Sequence, residues 1–184
     1  IMVAIASGKG IGKSALIAMI DNWGRSTCED CKIVIPADTG TQLATKTQPE
    51  VAKWTRLSVN RHWWEVKATS ITARVKGHER EWRTDFITWS KENMEAFSGL
   101  HNKVKRLIVI FDEASGIHET IWANTEGTLT DENTEIIWLA FGNPTRPTGG
   151  FRECFGKNKD RWKTFRIDSR TVEGTNHAEQ ARQV

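Results

Sequence analysis

The chain of 184 residues has no tyrosine, only three cysteines, and no apolar run near the roughly 20 residues that span a bilayer. Cys28, Cys31 and Cys154 are too few for a disulfide framework, and Cys28-Glu-Asp-Cys31 lacks the second pair that a zinc site requires. The short apolar opening IMVAIAS has no basic leader and runs straight into glycines, so it reads as a buried strand rather than a signal peptide. An intracellular protein without a membrane span is expected. Nine tryptophans accompany the missing tyrosine, a usage that nothing in the sequence explains. Histidines 62, 78, 101, 118 and 177 show no metal-ligand spacing. Internal repeats, low-complexity tracts and linkers are also missing.

With 38% hydrophobic and 27% charged residues, the composition is that of a folded globular chain, and the length suits one well-cored domain. The net charge of +3 says little, but its distribution is uneven. From Asp112 to Glu135 there are seven acidic residues and no lysine or arginine, whereas Arg146 to Arg170 holds eight basic residues against three acidic ones. Such a basic tract suits a polyanion such as DNA, with a merely solvated face as the plain alternative.

Apolar, β-branched runs at Ile1 to Ala6, Lys32 to Ile35, Ile71 to Val75, Phe86 to Trp89, Leu107 to Phe111 and Ile136 to Phe141 predict strands. Helices are expected over Ser14 to Trp23, apolar nearly all round as if packed under a sheet, and over Ile117 to Glu126. Thr41 to Leu57 is also helix-prone, with Pro49 either kinking it or starting a second helix. Val59 to Trp89, with its clustered tryptophans and a polar turn at Lys76 to Glu81, reads as a β-excursion. Continuous apolar strands alternating with helices predict an α/β fold around a mainly parallel central sheet flanked by helices.

Between the first strand and the first helix lies SGKGIGKSA, residues Ser7, Gly8, Lys9, Gly10, Ile11, Gly12, Lys13, Ser14 and Ala15. Phosphate binding by a loop needs backbone N–H groups brought close to the anion, and glycines permit that. A following lysine then reaches the β- and γ-phosphates, a hydroxyl holds Mg²⁺, and the next helix directs its N-terminus at the charge. Lys13 and Ser14 fit these roles. Ser7 stands where the strict motif has glycine, and a simple glycine turn before a helix is the alternative.

RLIVIFDEAS, residues 106 to 115, is a hydrophobic strand ending in two carboxylates. Asp112 stands where a P-loop enzyme holds Mg²⁺, and Glu113 is placed to polarise an attacking water, which favours an ATPase over a nucleotide kinase. Alternatively, Glu113 or Ser115 caps a helix starting near Ile117. A further strand, EIIWLAFGNPT, ends in Gly142, Asn143, Pro144 and Thr145; beside the strand of Asp112 its end would reach the γ-phosphate, with Asn143 sensing hydrolysis.

In this order the motifs resemble the ATPase domain of the large terminase subunit of tailed bacteriophages, a P-loop NTPase of the ASCE type that drives DNA into empty capsids. The resemblance rests on ASGKGIGKSAL, ADTGTQLATKTQPEVAKW, EAFSGLHNK, VIFDEASGIHETIWANTEGTLTDENTEIIW, FGNPTRPTGGFRECF and IDSRTVEGTN, and covers nearly the whole chain. Phosphate loops of that family often depart from glycine at the first position and often carry a basic residue, here Lys9. The resemblance implies ATP and Mg²⁺ as ligands, Lys13 and Ser14 on phosphate and metal, Asp112 on the metal, Glu113 as catalytic base, and Gly142 to Thr145 as a coupling motif. It further implies double-stranded DNA, copies of the chain in a ring, a small terminase subunit and a portal protein as partners, in the cytoplasm of a host cell.

Thr39 to Gln42 resembles the helicase-like segment of the family and receives no catalytic role. Arg146 and Arg152 are candidates for an arginine finger reaching a neighbouring subunit. The family's upstream adenine-contacting segment and its RNase H-like nuclease domain have no counterpart in these residues, so an excised domain that does not cut DNA is expected. Two other readings stand beside the motor: a helicase-like P-loop ATPase unrelated to packaging, and a binding switch that holds ATP without turnover.

Overall fold

The computed structural model describes residues 1–37, 39–88, 102, 104–129 and 132–172. Six strands form a parallel array in the order β5-β2-β6-β7-β1-β8: β1 (Met2–Ser7), β2 (Lys32–Ala37), β5 (Arg83–Thr88), β6 (Arg106–Phe111), β7 (Glu135–Gly142) and β8 (Lys163–Ile167). Two short antiparallel strands, β3 (Trp64–Val66) and β4 (Ser70–Ala73), extend the sheet past β5. The mainly parallel α/β sheet expected from sequence is therefore present.

Burial on both faces is visible along β6. Leu107, Val109 and Phe111 enter one core and Ile108 and Ile110 the other, the two-residue alternation of a strand covered on both sides. The first core is capped by the helix α4 (Glu119–Thr128), the short helix α5 (Gly150–Cys154) and Trp162. Here Trp122, Trp138 and Trp162 meet with ring centroids 4.9 to 6.0 Å apart. Gly150 is required by this packing, since a Cβ there would lie 2.5 Å from the Trp122 ring. The second core takes Ile17 and Ala18 of α1 (Lys13–Thr27) and Val51 of α3 (Gln48–Leu57).

The helix α1 departs from its sequence reading. Leu16, Met19 and Trp23 are 42 to 48% exposed, while the buried face carries Asp21, Gly24 and Arg25 beside Ile17 and Ala18. Apolar residues all round did not mean burial all round, because an ion pair occupies core positions. Arg25 Nη2 donates to Asp21 Oδ2 at 2.6 Å and to Thr55 Oγ1 at 2.9 Å, its guanidinium lies 4.4 Å from the Trp64 ring, and both charged side chains are fully buried. Trp64 and Trp82 pack at 5.2 Å, so the β-excursion is fixed against α1 and α3 by indoles around a buried cation.

Between β2 and α3 the chain makes a short helical turn α2 (Gly40–Gln42), then a π-turn (Leu43–Thr47), and α3 begins with Pro49 in its first turn. Of the two readings of Pro49, the start of a second helix is the one realised. The helix expected from Ile117 begins at Glu119, capped by His118, whose side chain accepts from the Thr120 N–H. Neither Glu113 nor Ser115 is its cap. Trp89 and most of EAFSGLHNK lie outside the described residues, as does the end of IDSRTVEGTN. Among the described residues no helix is long and apolar enough to cross a membrane.

Candidate nucleotide site

The loop from Ser7 to Gly12 joins β1 to α1, and its glycines are needed for two different reasons. Gly10 and Gly12 have φ of 76° and 86°, a region that side chains rarely adopt, though open space surrounds both. Gly8 is required by proximity, since a Cβ there would lie 2.7 Å from the Cβ of Ser169, in the turn that follows β8. Gly12 is the N-cap of α1 and no acidic side chain occupies the first turn, so the first N–H groups of a 15-residue helix are left for an anion.

Lys13, the first residue of α1, folds back over this loop. Its Nζ donates to the Gly8 carbonyl at 2.7 Å and to Asn143 Oδ1 at 2.9 Å. Burial lowers its pKa, opposed by the negative charges of Glu113 and Asp112 and reinforced by Lys9. The contact with Asn143 follows from strand order: β7 pairs with β1 on one side and β6 on the other, so its end emerges between the loop lysine and the acidic pair. Asn143 is 9% exposed.

Asp112 and Glu113 leave the end of β6 in different directions. Asp112 is 5% exposed, and both its oxygens are engaged: Oδ1 accepts the Glu113 N–H at 3.0 Å and Oδ2 accepts the Thr47 hydroxyl at 2.6 Å. Glu113 has φ of 52°, a left-handed conformation in a non-glycine residue, held by the next N–H, Ala114, donating to the Phe141 carbonyl at 2.7 Å. This places Glu113 on an open cleft of about 400 Å³ whose other walls are Thr39, Thr41, Thr45 and Lys46.

On the other side of the loop is a larger cavity of about 730 Å³. Ser7, Gly8 and Lys9 form one wall, Phe151 and Phe155 an apolar one, and Arg146, Arg152, Arg166 and Arg170 bring positive charge. Arg170 is paired with Asp168, and Arg166 lies over the Phe155 ring at 5.5 Å. The basic tract of the sequence thus partly converges on a concave site, and Arg146 and Arg152 line it together with Ser7, Gly8 and Lys9 of their own chain. Sequence reasoning missed both β8, whose KTFRI is too polar and too exposed to signal a strand, and the role of its following turn against Gly8. It also missed Thr47, because a threonine inside a helix-prone stretch carries no distinguishing pattern.

Burial pushes the Cys31 thiol up, and Cys28 is only partly buried. Among the described residues the one cluster of three or more His, Cys, Asp or Glu side chains close enough to share a metal ion is Glu29, Asp30 and His78, where Asp30 already meets His78 at 2.6 Å and Lys105 at 3.5 Å.

A glycine loop, a lysine at a helix start and an acidic pair two strands along the sheet are arranged as in a P-loop NTPase fold. No protein-family model matches the chain. Its sequence is similar to a probable terminase large subunit of Enterobacteria phage P7, 26% identical over 152 residues, 80% of this chain and 30% of that protein. Its fold is similar to the large terminase of a thermophilic bacteriophage in complex with ADP, with TM-score 0.66 and 14% identity, covering 99% of this chain and 44% of that one. The ATPase domain of the Thermus phage P74-26 large terminase gives TM-score 0.60 and 16% identity, over 99% of this chain and 79% of that one. The chain thus resembles phage large terminases in sequence and has the fold of their ATPase domains. It spans less than a third of the phage P7 relative and less than half of the ADP-bound terminase.

Proposed function

We propose that this chain is the ATP-hydrolysing motor domain of a phage large terminase, coupling hydrolysis to translocation of double-stranded DNA. One observation carries the reading: among the described residues Lys13 bonds only neutral acceptors, Gly8 O and Asn143 Oδ1, while Asp112 and Glu113 act on its charge from the end of β6, beyond β7. A triphosphate replaces those acceptors without breaking an ion pair. The terminase of the thermophilic phage holds ADP, in keeping with a nucleotide in the corresponding fold. The arginine-lined cavity beside Gly8 is of a size for the nucleoside end of the ligand.

The residues present suit Mg²⁺, a hard cation that takes oxygen ligands. The Ser14 hydroxyl and the Asp112 carboxylate would hold it, and the ion would supply neutralisation of the triphosphate's charge. Lys13 draws in the same phosphates, and the free N–H groups of the loop and α1 orient them. Glu113, on its open cleft, accepts the proton of the water that attacks the γ-phosphorus, and ADP leaves as the bridging bond breaks. Asn143, released by Lys13 when phosphate arrives, reports occupancy to the segment after β7, where the Thr145 N–H donates to the Asn143 carbonyl at 2.8 Å.

Self-association into a ring, a small subunit, a portal protein and the host cytoplasm belong to this same proposal. The test is phosphate release by the chain with Mg²⁺, with and without duplex DNA, over a range of protein concentrations. Turnover that rises with DNA and concentration is expected. Tight ATP binding without phosphate release under every condition would replace the motor with a switch, and strand separation on a forked duplex would replace it with a helicase.

A further inference from the structure

We infer that Thr47 is a positioning residue for the metal site, tying the π-turn Leu43–Thr47 to the orientation of Asp112. The inference rests on the reading of Asp112 as the residue that holds Mg²⁺. Thr47 is fully buried, and its hydroxyl donates to Asp112 Oδ2 at 2.6 Å across 65 positions of sequence. With Oδ1 already fixed by the Glu113 N–H, this second bond sets the rotation of the carboxylate plane. Each oxygen keeps a lone pair for the metal or its water shell.

The π-turn explains why a residue of this loop reaches so far inward. A π-turn closes i→i+5 bonds and accommodates one residue more than an α-turn, an arrangement common at functional sites. Within it only Leu43 and Thr47 are buried, whereas Thr45 and Lys46 stand on the cleft wall opposite Glu113. One short segment thus bonds Asp112 and lines, with Thr45 and Lys46, the cleft on which Glu113 stands. Partners of metal-holding groups typically change metal affinity by about 10- to 100-fold when removed, because they preorganise the ligand.

The experiment is an Mg²⁺ titration of the binding of a fluorescent, non-hydrolysable ATP analogue to the full chain, its Thr47→Val variant and its Thr47→Ser variant, with metal-free ADP affinity as control. Valine preserves the shape and removes the donor, so half-saturation by Mg²⁺ should move up by roughly 10-fold or more while metal-free ADP affinity stays within about 2-fold. Serine restores the donor and should return the titration to within about 3-fold of the parent. An unchanged titration in Thr47→Val, a Ser variant as poor as Val, or equal loss of metal-free binding would each overturn the inference. A parent chain whose analogue binding does not depend on Mg²⁺ at all would instead remove the assignment of Asp112, and this inference with it.

Discussion

The helix α1 carries two partly or wholly buried cations, Lys13 and Arg25, and they are treated in opposite ways. Arg25 has fixed partners: Asp21, Thr55 and the Trp64 face engage it in a fully buried setting. Lys13 is only half-buried and bonded to a backbone carbonyl and an amide oxygen, with its two carboxylate neighbours held off. A buried charge that serves the fold needs a permanent counter-charge, because a charge left alone inside a protein is costly. A charge that serves a ligand needs partners that can be exchanged. On the proposed function, the same helix therefore anchors the domain at its C-terminal end and offers an anion site at its start.

The largest expected effect breaks the working end alone. Glu113→Gln and Lys13→Ala should each lower ATP turnover by about 10²- to 10⁴-fold in a phosphate-release assay, with the unfolding midpoint nearly unchanged. Turnover of Glu113→Gln at the parent rate would remove Glu113 as the base. Next, Asp21→Ala should break the structural end: with Arg25 stranded, denaturant unfolding should show a loss of about 3–5 kcal/mol. Its companion Asp21→Leu with Arg25→Met should recover most of that, since removing both charges leaves no orphan.

A smaller change sharpens the contrast. Asn143→Ala takes from Lys13 a neutral acceptor, and stability should fall by only about 1 kcal/mol, while release of phosphate slows. Loss comparable to Asp21→Ala would mean that Lys13 is as permanently fixed as Arg25. The smallest effect is one of pH. Burial lowers the Lys13 pKa in the nucleotide-free protein, so affinity for the triphosphate should decline on the alkaline side at a lower pH than the ordinary lysine value of 10.5. In that same window the unfolded chain binds the extra proton, so stability of the free protein should rise with pH as affinity falls. Titrating both by calorimetry and equilibrium unfolding checks the opposite signs.

What could be read in advance divides along similar lines. The strands β1, β2, β6 and β7 announced themselves because burial on both faces demands unbroken apolar runs, and each observed strand contains its predicted core. The loop residues and the acidic pair could be picked out as candidates because phosphate chemistry restricts residue types at fixed spacing. Long-range polar pairing was not: nothing in the sequence links Thr47 to Asp112 or Asp21 to Thr84, whose hydroxyl donates to Asp21 Oδ1. The edge strand β8 escaped notice because an exposed strand needs only backbone partners, and β1 supplies them. The helix α1 was read correctly but not its burial, for a third reason, that helical periodicity records hydrophobicity but not which polar residues a core can satisfy.

The two indole clusters have an optical consequence. In a chain without tyrosine, near-ultraviolet absorption and emission belong almost wholly to tryptophan, and here Trp122, Trp138 and Trp162 crowd beneath one face of the sheet while Trp63, Trp64 and Trp82 crowd near its antiparallel edge. Each cluster is a built-in chromophore, so replacing one of them together with Trp23, Trp54 and Trp89 by phenylalanine would let melting at the other be watched without any dye.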